Sequence, residues 1–87
     1  MKHSICAIRD SAIEAYMRPF TAQTPGQAHR LFVDEVRREG SEIGAHPEDY
    51  AIYHLADFDD NTGMITPIDP PKCIQRAIEV IQNSEEK

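Results

Sequence analysis

One segment limits the fold more than any other. Thr24-Pro25-Gly26-Gln27 has the residues that start a helix. Thr24 can cap free amides, Pro25 suits the first helical position, and Gln27 closes a capping box. Ala28, Leu31, Phe32 and Val36 follow at i, i+3, i+4 and i+8, which makes one apolar stripe. Arg30, Asp34, Arg37 and Arg38 occupy the other face. Gly40 is a good C′ residue, so the spacing predicts a helix to about Glu39. Such a helix must lay its stripe on another element. The segments around it read as extended, which predicts an α+β fold. It would be a small antiparallel sheet of three to four strands, with one main helix packed on it and a short C-terminal helix.

Residues 2–9 hold isoleucines and small residues without Gly or Pro, and read as a first strand. Asp10-Ser11 is turn chemistry, and residues 14–22 form a second extended arm, paired with the first. Pro19 places that arm at an edge or a bulge. Residues 41–47 read as a loop, with a single turn at His46-Pro47-Glu48-Asp49. Tyr50 to Phe58 is a strand whose core face is predicted to carry Tyr50, Ile52, His54, Ala56 and Phe58. Asp59 to Gly63 is a hairpin loop, and Met64 to Ile68 returns as a short edge strand. Ile74, Ala77, Ile78 and Ile81 recur at helical spacing, so a second helix is predicted over about 71–82, with a frayed end from Asn83 to Lys87.

The length allows one domain, residues 1–87. A chain this short buries only about 60% of its unfolded surface, which leaves no room for a cofactor cavity between two domains. No apolar run approaches the roughly 20 residues that cross a bilayer, and the start has no signal-peptide pattern. Cys6 and Cys73 are too few and too far apart for a disulfide framework, and read as reduced thiols in a cytoplasm. The net charge is -6, against a simple polyanion binder. It is uneven: residues 1–38 carry a net +2 and residues 39–87 a net -8. Such a chain can offer a mildly basic face to one partner and an acidic face to another.

Catalytic and metal chemistry find no support in the pattern. His3, Cys6, His29, His46, His54 and Cys73 show no zinc spacing. The Asp57–Gly63 stretch departs from a calcium loop, because its glycine comes one residue late and Ile68 stands where the bidentate Glu belongs. Glu48-Asp49 and Asp59-Asp60 are adjacent pairs expected to point apart. No phosphate loop or nucleophile elbow is present. The expectation is a non-enzymatic protein with no catalytic residues, metal or cofactor. Nucleic-acid binding has one argument: Arg18, Phe20, Arg30, Arg37 and Arg38 mix cations with an aromatic ring in the basic half, and Tyr50 and Tyr53 could add stacking surface.

These segments also line up as a set. Arg9-Asp10, Ala15-Tyr16, Pro19-Phe20 and Ala28-His29-Arg30-Leu31-Phe32 precede His46-Pro47-Glu48-Asp49-Tyr50 and Phe58-Asp59-Asp60-Asn61-Thr62-Gly63. Their order and spacing resemble the small nonstructural protein of the gokushoviruses, single-stranded DNA phages of the microvirus group, over about residues 4–80. The resemblance implies a DNA-binding phage accessory protein in the host cytoplasm, one that favours viral single-strand synthesis and packaging. The residues expected to meet single-stranded DNA are Arg18, Phe20, Arg30, Arg37 and Arg38, with binding that weakens steeply in salt. The alternative is a protein-interaction module. Its acidic half would dock a basic viral replication protein or host factor without direct DNA contact. Proline-bearing edge strands and a two-sided apolar strand also leave room for a homo-oligomer.

Overall fold

The computed structural model describes residues 1–85, with side chains through residue 82. Five antiparallel strands make one sheet: β1 (Lys2–Asp10), β2 (Ala15–Tyr16), β3 (Phe20–Ala22), β4 (Tyr50–Asp59) and β5 (Ile65–Arg76). β4 and β1 run side by side in the middle, from Lys2 opposite Asp59 to Asp10 opposite Tyr50. β5 lies outside β4, while β2 and β3 both pair with the outer edge of β1. Those last two are the pieces of the single arm expected over 14–22. Residues 17–19 separate them, and Met17 N–H still donates to Ile8 O at 2.7 Å.

Helix α1 (Pro25–Arg37) starts as its sequence predicts. Thr24 Oγ1 accepts from Gln27 N–H at 3.1 Å, and Gln27 Oε1 accepts from Gln23 N–H at 2.7 Å. The helix ends two residues before the expected Glu39, because Arg38 leaves the helical region at ψ 130°. Ala28, Phe32 and Val36 are buried, as the stripe requires, but Leu31 is 50% exposed. Three positions are enough to seat this helix on a narrow sheet.

Two elements differ from the reading above. The expected loop at 41–47 contains a short helix, α2 (Glu42–Ala45). Ser41 caps it by accepting from Ile43 N–H at 3.2 Å, and Ile43 plugs into the core. A turn this short has too little periodicity to read. The predicted break after Ile68 is absent, and β5 continues to Arg76. Pro67 sits opposite Ala56 and Lys72 opposite His54, so residues 68–71 bulge out against Leu55 alone. An outer strand tolerates these prolines, since its free side needs no amide donors. Helix α3 (Ala77–Glu85) therefore begins six residues later than expected. Glu79 Oε1 accepts from Arg76 N–H at 3.1 Å at its start. Ile74, taken as helical, is a strand residue packed on the core. The expected fraying at Asn83 to Lys87 lies beyond the described side chains, and its last two residues lie outside the described structure altogether.

All three helices pack on one side of the sheet. Phe32, Val36, Ile43, Ala77 and Val80 meet Cys6, Ala22 and Ile52 there, and His29 Nε2 reaches Gln75 Oε1 at 3.0 Å from α1 to β5. Both thiols are free. Cys6 lies within this core and Cys73 on β5. The 47–49 turn is a 3-10 turn, and the β4–β5 loop closes by a bond from Gly63 N–H to Asp59 O at 2.7 Å. Gly63 has φ +79°, the conformation that favours glycine.

Candidate nucleic-acid interface on the helix-free sheet face

Side chains alternate across a strand, and directly paired residues share a face. Cys6 and Ile52 point to the helices, so Ala7 and its partner Tyr53 point away. The expected core face of β4 holds only as far as His54. One extra residue, Leu55, is accommodated between Ile5–Ala56 and Cys6–His54, and this bulge reverses the alternation. Phe58, expected in the core, therefore lies on the helix-free side beside His3, with ring centroids 6.2 Å apart.

This open face has an aromatic and cationic centre. The Tyr16 and Tyr53 rings meet edge to face at a centroid distance of 5.6 Å. The Arg9 guanidinium lies 5.9 Å from the Tyr16 ring centre. Cys73 pairs with Tyr53 from β5. Burial pushes both the Tyr53 phenol and the Cys73 thiol up from their ordinary values, so both stay protonated at neutral pH. Arg76 completes the group from the end of β5. Among the described residues, neither Arg9 nor Arg76 has a carboxylate in ion-pair contact. A hollow of about 180 Å³ opens at this end of the sheet, lined by Arg9, Tyr53 and Arg76 together with Ser11, Glu48 and Asp49.

The residues expected from sequence to meet DNA are not assembled here. Arg30 and Arg37 project from α1 and Arg38 from its C-cap, in the helix layer. Arg38 is held by Glu35 through two bonds of 3.0 and 2.8 Å, which draw the Glu35 carboxyl below its ordinary value. Arg18 is exposed on the link between β2 and β3. Phe20 packs half-buried against the core, so its ring is engaged in the fold. Arg9 and Tyr16 were missed, although counting residue pairs back from the turn at 10–15 places them opposite each other.

Two acidic features are local. Glu48 and Asp49, expected to point apart, bring their carboxylates together with His46 to within 4.8 Å, because the 3-10 turn at 47–49 draws these side chains together at the surface. Asp59 and Asp60 do diverge. Asp59 Oδ1 accepts from Asn61 N–H at 2.9 Å, and Asp60 binds His3 Nε2 at 2.8 Å.

The geometry defines a class: a small α+β domain that buries one sheet face under helices and leaves an aromatic, arginine-bearing face open. Residues 3–80 match the family described as Phage ORF5 protein, and the chain belongs to that phage protein family. No curated protein and no solved structure is detectably similar to it. Among the described residues, no helix is long and apolar enough to cross a membrane.

Proposed function

We propose that this phage protein is a non-enzymatic binder of single-stranded DNA that uses the helix-free face of its sheet. The observation that carries this reading is the Arg9–Tyr16–Tyr53 cluster, where one cation and two rings meet on a face no helix covers. A stacked base contributes about 1–3 kcal/mol on such a ring, independent of sequence. The bases of a duplex are stacked on each other and cannot use it, so the face favours single strands. Stacking also reconciles DNA binding with a net charge of -6, because most of the attraction is then not coulombic. The resemblance to gokushovirus proteins supports a place for this binding in viral single-strand synthesis and packaging, in the host cytoplasm.

Salt dependence separates this site from the helix arginines. Contacts from Arg9 and Arg76 to one or two phosphates give a slope of log affinity against log salt of roughly -0.7 to -1.4, while the four arginines Arg18, Arg30, Arg37 and Arg38 would give about -2.8. A titration with a labelled oligothymidylate is expected to show binding at tens of micromolar in low salt, with the shallow slope. A slope near the steeper value would return the site to α1. Absence of binding under those conditions would sink direct DNA contact and leave the acidic second half, docked on a basic protein, as the reading to pursue.

A further inference from the structure

We propose that Arg9 and Arg76 form a phosphate clamp across Ala51, an inference that rests on the open face being the DNA-binding surface. The strand registers put the three residues in one row: Arg9 pairs with Ala51, and Ala51 pairs with Arg76. All three point to the helix-free side. Strands lie about 4.8 Å apart, so the two arginine backbones stand roughly 10 Å from each other, with only a methyl group between. Two long side chains rooted at that separation can converge on one group above Ala51. A guanidinium presents a planar fork of donors that matches phosphate oxygens.

The hollow at this row supports the assignment. At about 180 Å³ it is smaller than the roughly 300 Å³ at which small-molecule sites begin, so it suits a single ionic group better than a whole ligand. Tyr53 lines the same hollow. A phosphate held between the arginines would therefore leave its own base beside the Tyr16–Tyr53 pair. Arg9 is already oriented by its contact with the Tyr16 ring. Glu48 and Asp49 border the hollow and oppose an anion there. Their charge keeps the affinity for a free phosphate weak, in the millimolar range, and makes tight binding depend on simultaneous base stacking. The row thus sets where along the face one phosphate of a strand is held.

The test uses the full chain labelled with ¹⁵N and titrated with inorganic phosphate at constant ionic strength. Saturable shifts of the Arg9 and Arg76 side-chain Nε–H signals and the Ala51 amide are expected in the millimolar range. They should be lost in Arg9→Gln and Arg76→Gln. Oligothymidylates with a 5′-phosphate, a 3′-phosphate or neither then identify the source. If the clamp holds a terminal phosphate, each variant weakens only a phosphorylated oligonucleotide, by about tenfold, the usual scale for one charge-assisted contact. If it holds an internal phosphodiester, all three weaken alike. Absence of phosphate shifts at these residues, with oligonucleotide affinities unchanged in both variants, would overturn the clamp while DNA binding to the face stands. Phosphate shifts at both arginines with no oligonucleotide binding would instead keep the clamp and remove the DNA reading.

Discussion

Phe32→Ala is expected to destabilise the fold by about 3–5 kcal/mol, the range for emptying a buried phenylalanine site. The ring is 1% exposed and is the largest fully buried side chain. It lies in the cluster that joins α1 to Cys6 and Ile52 on the central strands, so no neighbouring segment is free to collapse into the gap. A domain of this size has a total stability toward the low end of roughly 5–15 kcal/mol. The variant should thus be largely unfolded at moderate temperature. Urea denaturation checks it through a lowered midpoint. A loss below about 1 kcal/mol would mean that the helix is not seated on the sheet through this ring, well under the usual cost of such a truncation.

Gly44→Ala is expected to destabilise as well, against the direction that helix propensity gives. Alanine is ordinarily better than glycine inside a helix by about 1 kcal/mol. Here a Cβ on residue 44 would collide with the backbone carbonyl oxygen of Val36. Backbone cannot rotate away as a side-chain end could, so α2 must lift from the end of α1. That movement would pull Ile43 out of the core. Overpacking of this kind costs about 1–3 kcal/mol. The sign is the informative part. A stabilised Gly44→Ala protein would show that α2 does not dock against Val36 as closely as the structure has it.

Helix α1 was legible in the sequence because cap, proline, stripe and terminal glycine all pointed to the same element. β1 and β4 were legible from their branched and aromatic residues. The first part of β5 was legible as an edge strand, but its continuation past Ile68 was not, since Asp69-Pro70-Pro71 reads as a breaker. The spacing of Ile74, Ala77, Ile78 and Ile81 then suggested a helix that starts too early. Ile74 belongs to the strand, and its apolar side reaches the core from there. The open face was the least visible feature. Assigning Phe58 to it depends on a bulge at Leu55 that no local pattern announces. The arginines of α1 drew attention because they are close in sequence. Arg9, Tyr16, Tyr53 and Arg76 come from four strands and share a surface only through strand register. Membership of a phage family was foreseen, and the match over residues 3–80 bears it out at that level.

The most direct measurement is a map of backbone amide shifts on adding a short oligothymidylate at low salt. Binding to the open face predicts the largest changes at Ala7, Tyr16, Ala51, Tyr53 and Phe58, with α1 nearly silent. Shifts concentrated at Arg30, Arg37 and Arg38, with Tyr16 and Tyr53 unmoved, would contradict it.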